Sequence, residues 1–129
     1  KGTLRPAGNL LQFVEKNDKR TPLVVTLDEK LSAKGAKHVG KDVVFGIRPE
    51  DVQDTQSLAN ANPAHTGEVK VEVSEPMGAE TYLYLDTGAT SFIARVRPTD
   101  RFEVNQSVKV TFKMEAAHLF DGATENVLK

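Results

Sequence analysis

Between residues 68 and 97 apolar and polar side chains trade places at almost every step. Val69, Val71 and Val73 alternate with Lys70, Glu72 and Ser74. Thr81, Leu83 and Leu85 alternate with Tyr82, Tyr84 and Asp86, and Phe92, Ala94 and Val96 alternate with Ile93, Arg95 and Arg97. A period of two is the repeat of a strand with one buried face, and it does not match the 3.6-residue repeat of a helix. Turn-forming clusters separate the runs: Glu75-Pro76-Met77-Gly78-Ala79 after the first and Thr87-Gly88-Ala89 after the second. Such short connections join antiparallel neighbours, so the segment predicts a three-stranded meander with the valines of its first strand on one face.

Further β signals flank the meander. Pro22 to Leu27 and Val43 to Ile47 are β-branched runs, and Val108, Val110 and Phe112 alternate with Lys109, Thr111 and Lys113. No comparable window has helical periodicity. The Ser-, Ala-, Asn- and Pro-rich stretch 54–65 reads as an excursion with room for one short helix. In the turn Asn105-Gln106-Ser107, Asn105 suits a left-handed backbone better than most side chains do. At 129 residues the chain can build one real core. The expectation is a single domain over 1–129, all-β, with a linker-like lead-in at 1–20 and an antiparallel barrel over 21–129 that carries at most short helices.

Composition removes several function classes. With 17 basic and 18 acidic residues the formal charge is −1, so nothing draws the whole molecule toward nucleic acid or an anionic membrane. The chain has no cysteine, which excludes disulfides, thiolate nucleophiles and cysteine metal sites and fits a reducing compartment. No apolar run approaches the ~20 residues that span a bilayer.

The motifs that resemble catalytic ones fail on their chemistry. Gly35-Ala36-Lys37-His38-Val39-Gly40-Lys41-Asp42 has P-loop spacing but ends on a carboxylate where a magnesium-binding hydroxyl is needed, and a strand rather than a helix follows. The plain alternative is a turn at Gly40 leading into that strand. His38, His65 and His118 have no metal-ligand spacing. Glu50 and Asp51, if extended, point to opposite sides, so solvation or an ion pair with Arg48 is their expected role. Ser74, Ser91 and Ser107 lack a nucleophile elbow, and Asn105-Gln106-Ser107 matches a glycosylation acceptor only in a secreted protein. No catalytic, metal or cofactor residue is expected. Tyr82 and Tyr84 with Arg95 and Arg97 could form a stacking platform for single-stranded nucleic acid, but cross-strand packing explains the same residues.

Val44-Phe45-Gly46-Ile47-Arg48-Pro49-Glu50-Asp51 resembles the strand and turn of the C-terminal regulatory domain of maltose-type and related sugar ABC importer ATPases. Glu75-Pro76-Met77-Gly78-Ala79-Glu80 resembles the acidic, apolar, glycine-containing hairpin turn of that family. Ala94-Arg95-Val96-Arg97 resembles its following strand, His118-Leu119-Phe120-Asp121 its closing motif, and Gly8-Asn9-Leu10-Leu11 its linker. The resemblance implies an OB-fold-like barrel of the TOBE or MOP-like type that follows an ATPase domain. In that family two regulatory domains pack together and tether the ATPase pair, and some members offer the surface to regulatory proteins.

For this chain the resemblance implies a non-catalytic, cytoplasmic module at the inner face of the membrane, in a complex with permease subunits and a second copy of itself. It implies ATP and magnesium only in an ATPase domain outside this sequence, and no nucleic acid. Gly46, Arg48, Pro49 and Glu50 are the family motif, in which Pro49 stiffens the turn and holds Arg48 extended. Glu75, Met77, Gly78, Glu80 and Phe120 are the candidate partner interface. For Met77 an adaptable thioether at an interface and a core contact stand level, and for Leu119 and Phe120 anchoring of the C-terminal segment competes with an interface. Two positions depart from the family: Asn105 replaces a turn glycine before the last long strand, and Glu125 follows Thr124 where glycine is common. The rival functions are an oxyanion-sensing barrel, for which the Ser91 and Thr99 regions show no clear hydroxyl cluster, and a nucleic-acid-binding barrel.

Overall fold

Described from a computed structural model, residues 1–18, 22–55, 61–97 and 102–128 form ten strands and one helix. In chain order these are β1 (Gly2–Ala7), β2 (Leu10–Glu15), β3 (Val24–Thr26), α1 (Glu29–Gly35), β4 (Asp42–Gly46), β5 (Val52–Asp54), β6 (Thr66–Pro76), β7 (Thr81–Asp86), β8 (Ser91–Val96), β9 (Ser107–Phe112) and β10 (His118–Asp121). Among the described residues they make two five-stranded sheets, ordered β10-β4-β1-β2-β3 and β5-β9-β6-β7-β8, with every named strand pair antiparallel. Face to face, the sheets nearly close into the antiparallel barrel expected from the sequence. The meander is β6-β7-β8, with Leu83 opposite Ala94 and Leu85 opposite Phe92.

Residues 1–18 are not a lead-in. Gly2–Ala7 and Leu10–Glu15 form a hairpin at the centre of the first sheet, turning at Gly8, whose φ is +65°. Leu4 and Phe13 of this hairpin are buried, so the segment supplies core as well as hydrogen bonds. Its two apolar runs are short and interrupted by Arg5, Pro6 and Gln12, which hides the alternation. Helix α1 was also invisible to periodicity, because it has only seven residues. Its marks are local: Asp28 caps it by accepting from the Leu31 amide at 2.8 Å, Glu29 lies in its first turn and Lys34 in its last. In the 54–65 excursion the described residues contain a 3-10 turn at Pro63–His65, while 56–60 lie outside the described residues.

The segment with P-loop spacing cannot cradle a phosphate. Its first glycine ends α1 and leads only into a 3-10 turn at Ala36–His38, and a Cβ on Gly35 would lie 2.6 Å from Leu4 Cδ1. The Gly40 amide donates to the Leu4 carbonyl at 3.1 Å, and Gly40, with φ +80°, turns the chain into β4.

One apolar cluster fills the barrel, drawing Leu4, Phe13, Val25, Leu27, Val43 and Leu119 from the first sheet and its attachments and Val69, Val71, Leu83, Leu85, Val110 and Phe112 from the second. Burying each such side chain stabilises the fold by roughly 1.5–3 kcal/mol. A line of aromatic rings crosses between the sheets: Phe13 to Phe45 at 5.4 Å, Phe45 to Phe112 at 5.7 Å edge to face, and Phe112 to Phe92 at 5.8 Å.

A polar latch joins the sheets at one end. Glu15 on β2 is only 4% exposed, yet its carboxylate accepts from Thr87 Oγ1 at 2.5 Å, Asn17 Nδ2 at 3.1 Å and the Leu23 amide at 3.2 Å. Asn17 also donates to the Thr87 carbonyl at 2.9 Å. Burial pushes the Glu15 carboxyl pKa up, but the hydrogen bonds from Thr87, Asn17, Leu23 and Thr90 outweigh it and hold the pKa below the ordinary 4.5.

A folded-state pKa below the unfolded one stabilises the fold fully above the unfolded value, and the contribution disappears as pH falls through the folded value. Urea unfolding from pH 7 down to pH 3 should therefore show a loss that begins near pH 4.5 and is flattened in Glu15→Gln. At pH 7 that variant should be less stable by about 1–3 kcal/mol, because three donors lose a charged acceptor. An opposite effect is expected at Glu125, which holds φ +62° without glycine's freedom. Glu125→Gly should raise the stability by about 0.5–1 kcal/mol in the same assay, the cost of the left-handed backbone for an L side chain less the entropy glycine adds to the unfolded chain.

Candidate partner-facing surface

The register of β6 determines what this surface presents. Val71 pairs with Leu85, but the next partner pair is Val73 with Tyr84, so Glu72 is an extra residue, a β-bulge. The bulge reverses the sides of the strand. Val69 and Val71 are buried, whereas Val73, expected beside them, is 49% exposed. Its cause lies in the neighbouring loop, where the Asn105 amide donates to the Val71 carbonyl at 2.7 Å and the Val71 amide donates to the Gln106 carbonyl at 3.0 Å. Asn105 has φ +68°, so the left-handed conformation expected of it from sequence is what shapes this loop.

Two rows of side chains result on the outer face of β6-β7-β8, one of Val73, Tyr84 and Ile93 and the other of Glu75, Tyr82 and Arg95. Glu80 ties the second row together: one oxygen accepts from Tyr82 Oη at 3.1 Å and the other lies 3.0 Å from Arg95 Nε. Pro49 and Glu50 reach the same face. The chain leaves β4 through Ile47 and an extended Arg48 (φ −82°, ψ 152°), makes a 3-10 turn at Pro49–Asp51 and enters β5 in the other sheet. This is the stiff corner expected around Pro49. Glu50 and Asp51 are in that turn rather than in a strand, and neither pairs with Arg48, which is exposed.

Met77 and Gly78 form the tip of the β6–β7 hairpin, closed by a 2.7 Å hydrogen bond from the Met77 amide to the Glu80 carbonyl. Met77 is 54% exposed, which decides between interface and core in favour of an exposed position. Gly78 has φ +82° and nothing within 4 Å of the place a Cβ would take, so any side chain there strains the backbone before it meets a neighbour. Past Lys70, which pairs with Ser107, β6 is unpaired on its β9 side apart from the contact at Val71, so Glu72–Pro76 is a free edge among the described residues.

The other candidates are not on this face. Phe120 on β10 folds over Gly46 of β4, where a Cβ would approach Phe120 Cε2 to 2.7 Å. The motif glycine and the candidate interface aromatic thus serve each other, as anchoring of the last strand. Leu119 beside it is 1% exposed. His38 Nε2 is 3.4 Å from Asp121 Oδ2. Asp121 has its pKa held below the usual carboxylate value, chiefly by the Thr124 and Ala123 amides it caps. Ser91, considered for an oxyanion site, donates its hydroxyl to Glu72 at 2.8 Å, and Thr99 lies outside the described residues.

The two ends of β7 face different ways. At its C-terminal end Thr87 meets Glu15 and Asn17, and the Lys16 amide donates to the Lys1 carbonyl at 3.0 Å, so any polypeptide preceding Lys1 would arrive there. The Met77 tip is at the opposite end, about 20 Å away at the rise of a strand.

Comparison with known proteins agrees with this architecture. The family model for the TOBE domain matches residues 45–120. The chain is 40% identical over 99 residues to the multiple sugar-binding transport ATP-binding protein MsmK of Streptococcus mutans, covering 77% of this chain and 26% of that protein. It is 33% identical over 113 residues to the trehalose/maltose import ATP-binding protein MalK of Thermococcus litoralis, covering 87% and 30%. This chain therefore spans between a quarter and a third of the length of these curated relatives. Among solved structures it is similar in fold to the cytoplasmic molybdate-binding protein ModG with molybdate bound, with a TM-score of 0.60 over 92% of this chain and 89% of that one, at 13% identity. The matched motif runs from Phe45, in the aromatic line between the sheets, to Phe120 over Gly46, and by that match the chain belongs to the TOBE-domain family.

Proposed function

We propose that this domain is the non-catalytic C-terminal regulatory and dimerisation module of the ATP-binding subunit of a sugar ABC importer. In this reading the module works at the cytoplasmic face of the membrane, joined to an ATPase domain that carries ATP, magnesium and the contact with the permease subunits. The relatives' names support the class of transporter. The observation that carries the tethering role is the exposed Met77 at the hairpin tip, beside a β6 edge that is unpaired among the described residues and remote from the end at which a preceding domain would attach. Two copies joined through this end leave both attachment ends clear, so the linked ATPase domains can separate at their nucleotide sites while staying at high effective concentration.

Sedimentation velocity across a concentration series should show a reversible dimer, and Met77→Asp should weaken it by about tenfold or more, as truncation of a buried interface anchor does. The melting temperature should be unchanged at concentrations low enough for both proteins to be monomeric, because Met77 is exposed in the monomer. A monomer at all concentrations, or a dimer indifferent to Met77→Asp, refutes tethering through this end. The same preparation should hydrolyse no ATP, and turnover that follows the purified domain through successive columns would overturn the non-catalytic assignment.

A further inference from the structure

Pro49, Glu50, Tyr82, Tyr84, Ile93 and Arg95 line a shallow groove of about 180 Å³ on the outer face of β7-β8. Its electrostatics are one-sided. Arg95, the cation in its wall, is already matched by Glu80, which also accepts from the Tyr82 hydroxyl. Among the described residues, two exposed carboxylates nearby have neither an ion pair nor a hydrogen bond: Glu50 at the rim, on a turn stiffened by Pro49, and Glu75, directly across the strand pair from Tyr82. Glu72, next along the edge, accepts only from Ser91. Two other cations lie close in sequence, both exposed: Arg48 makes no ion pair with Glu50, and Arg97, just past β8, has an interaction of its own. An anion entering here would meet unmatched negative charge, which argues against both oxyanions and a nucleic-acid strand, although the two tyrosines are the side chains a base would stack on.

We infer that the groove receives an arginine side chain of a partner protein. A guanidinium lies flat on a tyrosine ring and presents a fork of donors to a carboxylate, so Tyr82 or Tyr84 and Glu50 can hold one together. The apolar part of the face points to a protein rather than a free cation. Pro49 and Ile93 offer surface to an alkyl stem, and the row of Ile93, Tyr84 and exposed Val73 continues outward from the groove, ready for an apolar residue flanking the arginine. Glu80 fixes Tyr82 and Arg95 in advance, so little ordering accompanies docking.

The test is a nitrogen-15 NMR titration of the whole chain with blocked Val-Arg-Val peptide. Shifts should concentrate at residues 49–50, 82–84 and 93–95, with a dissociation constant on the order of millimolar for one stacked, paired side chain. Glu50→Gln should weaken binding about fivefold, and Tyr84→Ala about two- to fivefold while Tyr84→Phe retains it. Glu50 is exposed, so its variant tests the groove even if Tyr84→Ala perturbs the sheet. Val-Gln-Val should leave the groove unshifted, and ethylguanidinium should bind several-fold more weakly than the arginine peptide. Equal binding of the glutamine peptide, indifference to Glu50→Gln, or ethylguanidinium as tight as the peptide would each overturn the inference. Dimerisation should be the same in Glu50→Gln, so failure here is distinguishable from failure of the tether.

Discussion

The barrel depends on the contact of Phe45 with Phe112. Phe45 leaves the first sheet and Phe112 the second, and their rings meet edge to face at 5.7 Å, with Phe13 and Phe92 extending the line on either side. Two sheets with one apolar face each have to cover those faces, and an aromatic pair supplies both the area and an orientation, because the ring edge is drawn to the neighbouring ring's face. Phe45 is also one residue from Gly46, whose missing side chain admits Phe120 and so lets β10 close the first sheet. The corner at Pro49 follows directly and carries the chain into β5. One short segment therefore positions the core contact, the last strand and the rim of the outer groove.

The second connection between the sheets is polar, and it sits at the C-terminal end of β7. A buried carboxylate is costly unless its lone pairs are filled, and Glu15 meets that condition with donors from Thr87, Asn17 and Leu23. The latch specifies alignment more than it adds cohesion. Only one relative placement of β2 and the β7–β8 turn satisfies all these donors at once, whereas apolar faces tolerate some sliding.

The alternating strands could be read from sequence because their period matches a fold in which one face is covered. That held for β7, β8 and β9 and for the Asn105 turn, each of which is decided by residues close in sequence. It did not hold for Val73, since the bulge at Glu72 is imposed by backbone hydrogen bonds from Asn105 and Gln106, more than thirty positions away. The first hairpin was missed for a related reason: its strands are mixed in composition, and its place in the sheet is conferred by β4 and β3 on either side. For the surface, Glu75, Glu80 and Glu50 were legible as a motif, but not their gathering around Tyr82, because that depends on how β6, β7 and the Pro49 corner come together.

The same bulge explains why the outer face of this domain carries exposed apolar side chains. With regular pairing, β6 would keep Val73 inside and present Glu72 and Ser74 outward, a solvated and unremarkable strand. One extra residue moves a valine into the row of Tyr84 and Ile93, leaves Glu75 opposite Tyr82, and brings the hairpin tip to Met77 at the edge of that row. Apolar area and unmatched negative charge are then adjacent on one rigid face, while the buried side of the same strand still fills the core with Val69 and Val71. Because the loop that imposes the bulge is held by backbone groups, substitutions of the exposed side chains can retune what the face binds without disturbing the hydrogen bonds that expose it.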